Sequence, residues 1–139
     1  MPAWALSEGG PLTPQQVAAL VAGIESWKKP VSAPAGAELP SYAASSSGDA
    51  VNGKRLFARG CFFCHGPGAR VGSVTDPSYL SLVTDQNLRT SIIVGRSDLG
   101  MPNYLALNAG HPLNDQDVSD LVAYLASLRP AEPAMGNTK

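Results

Sequence analysis

The sequence predicts an all-α protein, and three observations carry that expectation. Apolar residues recur at helical spacing in four segments; no run alternates apolar and polar residues for long enough to make a strand; and the chain opens with a version of its own ending. The opening MPAWALSEGGPLTPQQVAALVAGIESWKKP and the later MPNYLALNAGHPLNDQDVSDLVAYLASLRP share thirteen identities over about thirty positions once one residue is inserted after Trp4. Met1 and Pro2 then pair with Met101 and Pro102, and Val17, Leu20, Val21 and Ala22 pair with identical residues near the end. Only the tail of a duplicated unit occurs twice.

The first helix follows from Thr13-Pro14-Gln15-Gln16: Thr13 as N-cap, Pro14 in the first turn where its missing N–H costs nothing, and Gln16 reaching back. Val17, Leu20, Val21 and Ile24 fall on one face of it. Residues 30–47, PVSAPAGAELPSYAASSS, are rich in Pro, Ala and Ser without an apolar period, which reads as a linker. A second helix is expected over about residues 49–59, capped by Asp49 and stopped by Gly60. A weaker pattern covers residues 85–94, with Leu88, Ile92 and Ile93 as its apolar side. The last helix starts at Asn114 and carries Asp115 and Asp117 where the dipole favours anions. Its stripe of Val118, Leu121, Val122, Leu125 and Leu128 ends before Pro130.

At 139 residues there is room for one ordinary domain, or a small one with appendages. A formal charge of −1 with 15% charged residues suggests neither a nucleic-acid binder nor an acidic tail. Residues 51–100 hold six cations (Lys54, Arg55, Arg59, Arg70, Arg89, Arg96) against Asp76, Asp85 and Asp98, which is a solvated surface or a mild docking face. No apolar run is long enough to span a membrane, and the first residues lack the charged lead and apolar stretch of a secretory signal.

The chemistry concentrates in Cys61-Phe62-Phe63-Cys64-His65, a C-x-x-C-H that contains both cysteines of the chain. The spacing suits thioether bonds to the two vinyl groups of one haem, with His65 swung onto the iron. Three readings compete. A zinc site would need Cys61, Cys64, His65 and His111, but adjacent Cys64 and His65 close a tetrahedron poorly. A thioredoxin-like pair belongs to a strand–helix–strand setting, and a plain disulfide leaves His65 without purpose. For the sixth position on iron, Met101 in Gly100-Met101-Pro102 is the leading candidate, a soft thioether on a loop stiffened by Pro102. His111 is the alternative, and would give a bis-His iron.

On these residues, positions 47–130 resemble a class I cytochrome c, the small all-α electron carriers with three main helices around a covalent haem. The resemblance includes Gly53 and Phe57, four apart on the first helix of the unit, which in this family crosses the last helix at residues matching Leu121 and Tyr124. Glycine inside a helix costs about 0.5–1 kcal/mol relative to alanine, so Gly53 makes sense where another backbone comes close. The resemblance also implies that Pro77, twelve residues beyond His65, offers its carbonyl to His65 Nδ1–H. Residues 88–95 followed by Gly100-Met101-Pro102 are similar to the family's third helix and methionine loop. The loops at residues 66–76 and up to Met101 are short for the family, and Tyr79, Arg89 and Arg96 are the candidates for hydrogen bonds to the haem propionates.

By the same resemblance, residues 1–29 are the axial-methionine loop and terminal helix of an incomplete preceding cytochrome c unit. Residues 30–47 are then the linker, 48–130 the complete domain and 131–139 a flexible tail. The expectation is a chain that begins at an internal methionine of a longer dihaem cytochrome, in which Met1 ligates a second haem; a monohaem protein with a relic helix is the alternative. The implied function is one-electron transfer through one covalent haem c, with His65 and Met101 as iron ligands, at the periplasmic or extracytoplasmic face of a bacterial membrane. The implied partners are redox proteins: a quinol-oxidising complex, an oxidase or a reaction centre, in a respiratory or photosynthetic chain, with this chain as a domain or subunit of a larger complex. A peroxidase-like haem enzyme with an open distal site is the competing class.

Overall fold

The structure, a computed structural model, describes residues 2–27, 37–69, 71–107 and 111–130. Met1, residues 28 and 29, the first part of the expected linker (residues 30–36), Arg70, residues 108–110 and the expected tail (131–139) lie outside the described residues. Six helices are present among the described residues: α1 (Pro14–Glu25), α2 (Ala50–Gly60), α3 (Phe62–His65), α4 (Pro77–Leu82), α5 (Asp85–Val94) and α6 (Asp115–Ser127). Single 3-10 turns occur at Leu6–Glu8 and Ser97–Leu99, and no strand forms there beyond two isolated bridges. The fold is all-α, and it divides into two units, Met1–Ser32 and Ala33–Lys139.

In the first unit, Thr13 accepts from Gln16 N–H while the Gln16 side chain accepts from Thr13 N–H, the reciprocal cap expected from the sequence. The loop before α1 is closed by Leu12 N–H donating to Trp4 O at 2.8 Å and Leu6 N–H donating to Leu12 O at 2.7 Å.

In the second unit, α2 packs across α6 and α5 packs beside α6. The core consists of Phe57, Leu80, Leu88, Ile92, Tyr104, Leu107, Leu113 and the α6 stripe Val118, Leu121, Val122 and Leu125. The reason for Gly53 is now explicit: a Cβ there would stand 1.9 Å from the Asp120 carbonyl oxygen. One turn on, Phe57 meets Tyr124 with ring centroids 5.4 Å apart and planes tilted by 54°. The α4 helix is an addition to the helices expected from periodicity. Asp76 accepts from Ser78 and Tyr79 N–H and Pro77 opens the helix, so its start signal is present, but with only Leu80 buried it has no apolar period to detect.

The stretch that reads as a linker is fastened over its second half. Ser41 N–H and hydroxyl donate to Asp115, the Ser45 hydroxyl donates to the same carboxylate, and Gln116 donates to Ser47 O. Arg89, 2% exposed, stands at the centre of this strap. Its guanidinium donates to Ser41 O, Tyr42 O and Ser119 Oγ and pairs with Asp115. A buried guanidinium needs such a full set of acceptors, and here backbone carbonyls of the strap complete it.

Two carboxylates at this seam have lowered pKa values. For Asp115 the largest cause is the Ser45 hydroxyl; burial opposes it, and Ser41 and the Arg89 charge add to it. For Asp120 burial pushes upward, and hydrogen bonds from Asn52, Asp49 N–H and Gln116 together outweigh it. A lowered folded pKa contributes stability that is complete above the unfolded value, about 4, and is lost as pH falls through the folded one. The melting temperature should therefore hold between pH 7 and about 5 and fall on acidification below about 4. A rise in melting temperature over that lower range would contradict the assignment.

Candidate functional site

The end of α2 and the single turn of α3 carry the C-x-x-C-H. Cys61 N–H donates to Phe57 O, and both Cys64 and His65 N–H donate to Cys61 O, at 3.2 and 2.9 Å. Cys61, Cys64 and His65 thus follow one helical turn, three and four residues apart, which is the spacing that places side chains on one face. All three line a cavity of about 400 Å³. Ile92, Leu107, Val71, Leu99 and Pro102 make most of its remaining wall apolar, and Arg96, Met101 and two glycines, Gly60 and Gly100, complete it.

Met101 reaches this wall on a tightly closed loop. Arg96 and Met101 exchange two backbone hydrogen bonds, each 2.9 Å, around the turn Ser97–Leu99, and Gly100 at φ 82° closes it. Gly95 makes the loop possible in two ways: its φ is 68°, and a Cβ on it would lie 2.6 Å from Pro102 O. The stiffness expected from Pro102 comes chiefly from this bridge and from Gly95. Gly95→Ala should displace the loop and cost about 1–3 kcal/mol, read as lower thermal stability. Parental stability would show that the loop does not depend on Gly95.

The other expected site residues separate. Arg96 is at the cavity, with an exposed side chain in a bidentate pair with Asp98 at 2.8 and 3.0 Å. Arg89 does not line the cavity: its guanidinium is committed to the strap and to α6. Tyr79 is 38% exposed on α4 and does not line the cavity. Pro77 opens α4 and is exposed. The carbonyl that faces His65 Nδ1 is instead that of Gly72, at 3.4 Å. In the tautomer that donates from Nδ1 to this oxygen, Nε2 keeps its lone pair for a metal. In the sequence Gly72 is legible only as a turn glycine, since a carbonyl has no side-chain signature. His111 is exposed and away from the cavity wall.

Burial, and secondarily Cys64, pushes the Cys61 thiol up to about 11, so it stays protonated at neutral pH until it is alkylated. Both cysteines are unbridged. Among the described residues no group of three or more His, Cys, Asp or Glu side chains is placed to hold a metal ion. The donor set fits a porphyrin: two thiols on one helical turn, an imidazole beside them, a thioether on the same cavity, and aliphatic walls for the ring.

A family model described as Cytochrome C oxidase, cbb3-type, subunit III matches residues 48–125. No curated protein and no solved structure matches the chain. The matched span is more than half of the chain, running from just before α2 into α6 through both cysteines, His65 and Met101. The chain therefore belongs to this family, as a class I c-type cytochrome that binds haem c covalently and carries electrons between redox partners.

Proposed function

We propose that His65 and Met101 are the two axial ligands of the haem iron and that the protein relays single electrons as a domain or subunit of a membrane-associated respiratory complex. The observation that carries this reading is the shared cavity wall of Cys61, Cys64, His65 and Met101. Haem c supplies a one-electron Fe(II)/Fe(III) couple when bound. The residues supply the rest: Cys61 and Cys64 hold the ring in place, Gly72 O orients the His65 imidazole, and the Arg96–Met101 bridge holds the thioether. Ile92 and Leu107, both buried, keep water from the ring. Exclusion of water and the weak donation of a thioether both favour the ferrous state.

The family's name supports an oxidase as the acceptor side of the relay, and likeness to the family supports a periplasmic or extracytoplasmic location. A quinol-oxidising complex fits the donor side, and a photosynthetic reaction centre fits the same chemistry. No helix of the described residues is long and apolar enough to cross a membrane. Residues 1–29 are read as the methionine loop and last helix of a second cytochrome c unit, with Met1 serving a second haem c. The repeat supports this in backbone as well as sequence: Leu12 N–H to Trp4 O, 2.8 Å, has its counterpart in Leu113 N–H to Tyr104 O, 2.9 Å.

The test is the oxidised spectrum of the native protein. A sulfur-to-iron charge-transfer band at the red end is expected, and its absence would remove Met101 as a ligand.

A further inference from the structure

The turn that pins Met101 also carries Arg96, the one permanently charged residue among the described residues that line the cavity. Its main chain exchanges two hydrogen bonds with Met101, and its side chain stands 60% exposed at the cavity wall. Asp98, in the middle of the same turn, grips the guanidinium side-on: Nε donates to Oδ1 at 3.0 Å and Nη2 to Oδ2 at 2.8 Å. A guanidinium has five N–H donors, and this grip uses two of them. Nη1 has no hydrogen-bond partner among the described residues, so the outer Nη1/Nη2 edge is free for a second carboxylate. An ion pair exposed on both sides contributes little to stability. What it does supply is order, because a long arginine side chain loses rotamer freedom when it is fixed, and the grip has already fixed it. Haem c carries two propionates, and Arg89 and Tyr79 do not line the cavity.

We propose that Asp98 is a positioning residue: by holding the Nε edge of Arg96 it presents the free Nη1 edge to a propionate of the haem, and the oriented cation raises the reduction potential. This rests on the reading of the cavity as the site of a haem ligated by His65 and Met101. Ferric iron bears one more positive charge than ferrous iron, so a cation fixed beside the ring disfavours the ferric state. A carboxylate paired with that cation also stabilises the ferric state less. Asp98 opposes both effects by its own charge, but it is not part of the cavity wall and is 62% exposed, so water and salt screen it. The two roles of Asp98 therefore carry opposite signs. As a bare charge its removal raises the potential; as the holder of Arg96 its removal lowers it.

The experiment measures the reduction potential of the full holoprotein, of Arg96→Gln, of Asp98→Ala and of the double variant. Arg96→Gln is expected to shift the ferrous-to-ferric ratio about threefold toward ferric at a fixed applied potential, roughly 30 mV at 59 mV per tenfold. Asp98→Ala shifts it in the same direction by about twofold, and causes no further fall once Arg96 is replaced. An unchanged or raised potential in Asp98→Ala, or an equal fall in the Arg96→Gln background, overturns the proposal, since Asp98 would then act independently of Arg96. So does loss of the sulfur-to-iron band in Arg96→Gln, because the shift would then come from a displaced Met101. The bonds between those two residues are main-chain and glutamine retains them, so the band is expected to stay. If the native protein lacks the band while the pattern of potentials holds, the Met101 reading fails and the role of Asp98 stands.

Discussion

Met101→Ala should leave a folded, covalently attached haem protein whose reduction potential falls by on the order of 0.1 V or more, within the roughly 0.8 V that axial ligands command. Two consequences are expected from one cause. On the proposed ligation, removing the thioether takes away the weak donor that favours ferrous iron, and it opens a coordination position beside apolar walls. The ferrous variant should bind carbon monoxide, which the parent should bind poorly. The substitution sits in a loop held by main-chain bonds between Arg96 and Met101, which alanine retains, so the loss is local to the ligand. Redox titration and carbon monoxide difference spectra check both; unchanged potential and no new carbon monoxide binding would move the sixth ligand to another residue.

The second large effect is on stability. Gly53→Val should destabilise the domain by about 3 kcal/mol, the upper part of the usual range for forcing extra atoms into a packed contact. The reason is backbone against backbone: the nearest atom to an added Cβ is the Asp120 carbonyl oxygen, at 1.9 Å, with the Tyr124 Cβ at 2.9 Å. A flexible side chain can turn aside, but a carbonyl in mid-helix cannot, so α2 and α6 must separate. Separation also stretches the hydrogen bonds from Asp49 N–H and Asn52 to the buried Asp120 carboxylate. Equilibrium unfolding of the holoprotein measures the loss. A variant with parental stability would mean that the two helices cross elsewhere.

Much of the site is legible in the amino-acid sequence because its chemistry lies in side chains close together along the chain. Cys61, Cys64 and His65 occupy one turn, and Gly100-Met101-Pro102 is a compact signal supported by its repeat at Met1-Pro2. Gly53 is legible because glycine inside a helix asks for a reason. The rest is hidden for physical causes. The strap at residues 41–47 has the composition of a linker, and what pins it is a carboxylate about seventy residues away, Asp115. Arg89 reads as a cation free to serve a propionate, but half of its hydrogen bonds go to main-chain carbonyls, which leave no mark in a sequence. The same applies to Gly72 O facing His65 in place of Pro77, and to Gly95, whose role depends on a carbonyl of Pro102 across the loop.

X-ray absorption at the iron edge of the oxidised native protein tests the ligand set most directly. The account predicts a sulfur neighbour to iron alongside nitrogen donors, lost in Met101→Ala. A first shell of nitrogen and oxygen alone in the native protein would contradict it.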